Sequence, residues 1–165
     1  MKNNLTGGFK YLIEVVKNGV VIDSEVVHNL LPSEGIDHIL SAALKGGTQV
    51  STWYIGLFEG NYTPVPTDTA ATFPGAATEC TAYAEVARQE WVEGSIVSGT
   101  LNNSASRAEF TSNANKTIYS GFVSSNPTKG ATSGTLLSVV RFSSPKTFDS
   151  GSVLRVTAGF TMTSV

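Results

Sequence analysis

A single cysteine, Cys80, is all the chain carries, so no internal disulfide can form and no cysteine pair offers metal-site spacing. Charge is scarce as well, at 15% of residues, against roughly 25% in an average globular domain. The 11 basic residues are scattered and the net charge is −2. A phosphate backbone is held by a concentrated positive field, so nucleic acid is not expected as a partner. Long apolar runs are missing too. Nothing approaches the roughly 20 apolar residues of a membrane span, and Met1-Lys2-Asn3-Asn4-Leu5-Thr6-Gly7-Gly8 contains no apolar run of signal-peptide length. Synthesis in the cytosol without a membrane partner is the expectation. The two histidines, His28 and His38, have no cysteine or carboxylate at ligand spacing, and neither a metal nor a cofactor is expected.

What the chain does have is 41% hydrophobic residues together with 19 serines and 19 threonines in 165 residues. That length suits one domain. A hydroxyl-rich, weakly charged surface is cheaper to desolvate than an ionic one. It fits a protein whose faces are covered by partners, and equally an ordinary threonine-rich β-sandwich.

The densest apolar stretch is Ser51-Thr52-Trp53-Tyr54-Ile55-Gly56-Leu57-Phe58. Strand side chains alternate, so Trp53, Ile55 and Leu57 point one way, Tyr54 and Phe58 the other, and Gly56 leaves room for a close neighbour. Apolar on both faces, this strand belongs in the middle of a sheet. Ahead of it, residues 9–16 and 20–28 are β-branched runs around Lys17-Asn18-Gly19, where Asn-Gly supplies the positive φ angles of a type I′ hairpin. Tyr11, Ile13 and Val15 share one face of that hairpin. The stretch 29–47 holds the one helix: Ile36, Ile39, Leu40, Ala43 and Leu44 make a single apolar stripe, Ser33 can cap its start, and Lys45-Gly46 stops it.

Residues 1–8 are polar and end in two glycines, which predicts a flexible arm ahead of a sandwich domain spanning 9–165. Residues 59–78 hold Pro64, Pro66 and Pro74 with no periodicity and read as a long loop. These two segments are the candidates for reaching neighbours, through Lys2, Asn3 and Leu5 of the arm and Tyr62, Pro64, Pro66 and Phe73 of the loop. Further strands are predicted at 85–92, with Val86 and Trp91 as core contacts, and at 95–101, 108–111, 117–124, 134–142 and 152–165. Eight to ten short strands with one short helix predict an all-β, antiparallel two-sheet sandwich, jelly-roll-like in character.

No catalytic constellation emerges. Glu79, Glu85, Glu90 and Glu93 read as solvated strand edges, and a serine triad assembled from 19 serines has no motif behind it. No enzyme is expected. Arg88 and Arg141 sit inside strand-like runs, where a solvent-facing place is expected ahead of ion pairing. Trp53 is assigned to the core, while Trp91, Tyr62 and Tyr83 remain candidates for a sugar- or partner-binding surface.

Several stretches resemble small structural proteins of tailed bacteriophages. They are His28-Asn29-Leu30-Leu31-Pro32-Ser33-Glu34-Gly35, Trp53-Tyr54-Ile55-Gly56-Leu57-Phe58, Glu79-Cys80-Thr81-Ala82-Tyr83 followed by Arg88, Asn102-Asn103-Ser104-Ala105, and Arg141-Phe142-Ser143-Ser144-Pro145-Lys146. Within that class the resemblance implies a non-enzymatic capsid decoration, or cement, protein. It would be a homo-oligomer on the virion surface whose partner is the major capsid protein. The alternative is a tail or tail-fibre component that binds a host-surface glycan.

Overall fold

The computed structural model describes residues 5–164, with side chains from Thr6 onward. In chain order the elements are β1 (Leu5–Lys17), β2 (Val20–His28), α1 (Ser33–Leu44), β3 (Tyr54–Phe58), α2 (Phe73–Ala77), β4 (Glu79–Cys80), β5 (Gln89–Glu90), β6 (Thr100–Asn102), β7 (Ala108–Thr111), β8 (Lys116–Ser124), β9 (Leu136–Phe148) and β10 (Val153–Ser164). Two antiparallel sheets result. One runs β2-β1-β10, with β6 and β7 pairing successive parts of β10; the other runs β4-β3-β8-β9, with β5 also pairing β3. This is the predicted all-β two-sheet sandwich.

The β1–β2 hairpin turns where expected, with Asn18 at φ 53 and Gly19 at φ 76. Its inward face carries Phe9, Tyr11, Ile13 and Val15, all buried against Leu154, Val156 and Ala158 of β10 and against Trp53, Ile55 and Leu57 of the opposite sheet. Burying side chains of this size contributes about 1.5–3 kcal/mol each. Two polar tips in this core find partners. Tyr11 Oη donates to Ser138 Oγ at 2.7 Å, and Trp91 Nε1 donates to the Ala158 carbonyl at 2.9 Å.

Strand β3 is interior, as its two apolar faces demand. One face meets the sandwich core. The other carries Phe58 and Gly56 into a second, smaller core with Phe73, Ala77, Phe122, Leu136 and Val139. Gly56 faces Phe122 across the β3–β8 pair, and a Cβ at Gly56 would overlap the Phe122 ring. The expected close neighbour is therefore an aromatic face.

Some strand expectations change. Residues 5–8, read as part of a flexible arm, belong to β1: Leu5 pairs with Ser164 and the register continues unbroken to Val16 opposite Val153. Alternating backbone pairing needs no apolar side chain, which is why a composition of Thr and Gly concealed it. The strand predicted over 85–92 shrinks to Gln89–Glu90, and Val86 is 97% exposed rather than in the core, whereas Trp91 is buried. Strand β9 runs on past Phe142 to Phe148. Proline is tolerated there because β9 is an edge strand and the register shifts between Ile118 and Ser120, leaving Pro145 out of the ladder. In that bulge the Ser143 and Ser144 amides donate to Glu25, and buried Lys146 reaches Asp23 at 3.0 Å and Glu25 at 3.3 Å. These contacts tie the edge of one sheet to the edge strand β2 of the other.

Candidate functional site

Two regions draw attention once the sheets are in place: the 59–78 segment on the outer face of β3, and the end of the sandwich where α1 sits.

The 59–78 segment is a folded cover. Its base is closed by Glu59 N–H to the Thr78 carbonyl at 2.9 Å and Gly60 N–H to the Ala77 carbonyl at 2.8 Å. Inside it, buried Asp68 accepts from Tyr62 Oη at 2.9 Å and from the Val65 amide at 2.8 Å. The hydrogen bond to that carboxylate holds the Tyr62 phenol above its ordinary range. Arg141 clamps the outside, donating to the Tyr62 carbonyl at 2.6 Å and to Asn61 Oδ1. From the other side Glu34 Oε2 accepts from the Ala70 amide at 2.8 Å and the Leu136 amide at 2.7 Å, so one carboxylate joins α1, the loop and β9. Arg141 is thus a half-buried clamp, not a plain solvent-facing side chain.

The residues expected to reach partners are placed accordingly. Phe73 is fully buried in the smaller core, stacked edge-on to Phe58 with ring centroids 4.2 Å apart, and cannot contact a partner. Its position as the first residue of the short helix α2, preceding Pro74, turns it inward. Tyr62 and Pro64 are half-buried, and Pro66 is exposed with its carbonyl accepting from the Ser33 amide. Leu5 lies in β1 by its backbone, while Lys2 and Asn3 fall outside the described residues. Among the described residues, buried Phe73 is thus set apart from Tyr62, Pro64 and Pro66, and the loop's four candidates do not form one exposed site. Val65 and Pro66 are exposed apolar residues of the loop, among neighbours such as Asn61, Thr63 and Thr67 that are also exposed.

Helix α1 occupies its predicted span with a different orientation and start. Pro32 is the N-cap residue, and Ser33 is the first helical residue with no capping bond from its side chain. Gly35 presses against the Leu137 backbone, where a Cβ would overlap the carbonyl oxygen. His38 meets Trp53 edge-on at 5.2 Å between centroids. Between the helix and the sandwich end lies a cavity of about 280 Å³, lined by Phe9, His38, Val50, Trp53, Trp91 and Phe160 among others. His38 is the one titratable side chain in that lining. Of the aromatics expected at a sugar- or partner-binding surface, Trp91 and Tyr83 are buried and Tyr62 is half-buried, while Trp53 is buried in the core as expected.

Charge is organised around structure. Arg88 is buried and paired with Glu79, correcting the solvent-facing expectation for both residues. Glu85 accepts the Thr111 amide at 3.0 Å, and Glu90 and Glu93 are exposed. Among the described residues no three His, Cys, Asp or Glu side chains gather as a metal site would require, and no helix is long and apolar enough to cross a membrane.

Sequence reasoning missed the exposed apolar side chains. Val20 and Ile22 protrude at the β1–β2 hairpin, Ile96 and Val97 at the turn before β6, and Ile36, Leu40 and Leu44 along α1. For the hairpin and the turn the available signal was adjacency to Gly19 and Gly99, since apolar residues flanking a tight turn have little backbone to hide behind. No protein-family model matches the chain, and no curated protein matches it.

Proposed function

We propose that this protein is a non-enzymatic capsid decoration protein of a tailed bacteriophage, binding the outside of the icosahedral head and tying neighbouring capsomers together. The observation that carries the reading is the presence of exposed apolar side chains at both ends of the sandwich. Val20 and Ile22 sit at the hairpin end of β1. Val97 sits at the other end, where the Gly99 carbonyl accepts from Met162 and Met162 faces Gly7. Ten residue steps along β1, from Gly7 to Lys17, separate those ends by roughly 33 Å. A protein that bridges two neighbours needs separate contact points, and a low-charge, hydroxyl-rich surface lowers the cost of covering them.

The mechanism is linkage. A molecule that binds the expanded shell and not its precursor stabilises the expanded form, and repetition over many equivalent joints multiplies a modest contact. The resemblance to tailed-phage virion proteins supports the same reading. The tail-component alternative leans on exposed aromatics, and burial of Trp53, Trp91 and Tyr83 leaves it with less support.

The test is co-sedimentation of the purified protein with mature and with unexpanded capsids, and a count of copies per major capsid protein. Saturable binding to mature shells at a fixed high copy number is expected, weakened by a Val20→Asp/Ile22→Asp variant and by an Ile96→Asp/Val97→Asp variant. Failure to bind any capsid would overturn the proposal. A few copies per particle together with glycan binding would favour the tail.

A further inference from the structure

Three members of the apolar stripe of α1, Ile36, Leu40 and Leu44, face away from the protein. Ile36 is 42% exposed, Leu40 49% and Leu44 77%, while the helix is seated through Gly35, His38 and Ile39 on its other side. Three residues four apart form one continuous ridge on a helix, and two such ridges interdigitate when helices cross at about −50°. This ridge is symmetric about its middle member. A two-fold axis through Leu40 lays each copy's Ile36 alongside the Leu44 of its mate, so the surface complements itself and needs no second patch.

The charges flanking the ridge point to the same occupant. Measured from Leu40 at about 100° per residue, Asp37 lies about 60° to one side of the ridge and Lys45, the C-cap residue, about 140° round on that same side. Antiparallel helices related by a two-fold bring like flanks together, which puts Asp37 of one copy and Lys45 of the other on one side of the contact, twice, to be spanned by the long lysine side chain. Both side chains are exposed, and among the described residues neither has an ion-pair partner. Glu34, the helix's other acid, is spent on the Ala70 and Leu136 amides and does not oppose the arrangement.

We infer that the exposed face of α1 is where two copies of this chain meet, antiparallel, across a two-fold axis at Leu40. The contact is isologous, so it closes at two copies. A helix of 12 residues is about 18 Å long, and such a contact covers less than the roughly 1,600 Å² of a standard interface. The dimer is accordingly weak and concentration-dependent, with a dissociation constant on the order of micromolar to millimolar. This inference is independent of the capsid reading and is tested on the purified protein alone.

Sedimentation velocity of the full chain from about 1 µM to about 1 mM spans that range. A monomer–dimer equilibrium is expected. Leu40→Glu, which sets two carboxylates at the axis, should weaken dimerisation at least tenfold while leaving the circular dichroism spectrum and melting temperature unchanged. Asp37→Lys should loosen the dimer, and Asp37→Lys with Lys45→Asp should restore it. Under mild oxidation Leu40→Cys should cross-link to itself. Ile36→Cys should cross-link in a mixture with Leu44→Cys faster than alone, with buried Cys80 taking no part. A monomer at every concentration, an oligomer untouched by Leu40→Glu, or preferential Ile36→Cys self-linkage would overturn the inference.

Discussion

Arg88 and Glu79 meet end-on and out of water: Arg88 Nε donates to Glu79 Oε1 at 2.8 Å and Nη2 to Oε2 at 2.7 Å, with the two side chains only 2% and 3% exposed. The remaining guanidinium donors go to Ser124 Oγ at 3.0 Å and to the carbonyls of Asn126 at 2.9 Å and Ala131 at 3.0 Å. All five N–H groups of the side chain are thus engaged. The pair fastens the 84–88 segment and the 125–135 connection to β4 and β8.

Removing either partner leaves a charge without water or counter-ion. Arg88→Ala and Glu79→Gln are each expected to destabilise the fold by about 3–5 kcal/mol, read from urea unfolding midpoints. Arg88→Lys should recover little of this, because an ammonium cannot reproduce the fork. A loss below about 1 kcal/mol, typical of an exposed pair, would contradict the assignment.

Gly56→Ala places a methyl group into the Phe122 ring. Overpacking of this kind costs about 1–3 kcal/mol, and the double variant Gly56→Ala/Phe122→Leu should regain part of it. Non-additivity in a double-mutant cycle is the measurement, since the two residues share one contact.

Phe73 and Val86 separate packing from exposure within irregular segments. Phe73→Ala should cost about 3–5 kcal/mol, whereas Val86→Ser should stay within about 0.5 kcal/mol. Equal effects in thermal unfolding would mean that the 59–78 cover is not held by its aromatic anchor.

Two buried tyrosines should respond oppositely to loss of the hydroxyl. Tyr11 donates to Ser138, so Tyr11→Phe is expected to cost about 1 kcal/mol. The Tyr83 hydroxyl is buried with no protein partner among the described residues, so Tyr83→Phe should be neutral or stabilising. Chemical denaturation of the two variants side by side decides it.

Alkaline pH should unfold the protein through the same groups. Burial pushes the Cys80 thiol from its ordinary 9.0 up to about 11, and burial also raises the Tyr11 and Tyr83 phenols. In each case the folded state holds a proton that the unfolded chain gives up sooner. Stability is therefore full below pH 9 and falls as the pH rises toward 11, where unfolded Cys80 is already a thiolate. Cys80→Ala should flatten that fall over pH 9–11 in a series of urea titrations. A thiol reagent at pH 8 should label Cys80 only after denaturation.

Much of this architecture was readable from side-chain periodicity. The Asn18-Gly19 turn, the inward row Tyr11, Ile13 and Val15, the interior place of Ile55 and Leu57, and the span of α1 all follow from local rules that the tertiary fold does not override. What escaped is what the chain decides at long range. The stripe of α1 gives the right helix, but Gly35 seats the opposite side because only glycine can approach the Leu137 carbonyl. Phe73 looks like a loop aromatic until Phe58 and Phe122 are brought beneath it. Arg88 and Glu79 are nine residues apart, and nothing in their spacing announces that both will be buried. The candidate surface was the least legible part, since exposure is a property of the finished fold.

Leu5–Val16 pair with Val153–Ser164, so the innermost ladder of one sheet joins segments far apart in sequence. Every contact in that ladder is non-local, and the entropy of closing so long a loop is spent before any of them forms. Folding is therefore slow for a domain of this size, and Phe9, Tyr11 and Ile13 stay open to water and to other chains until β10 reaches them.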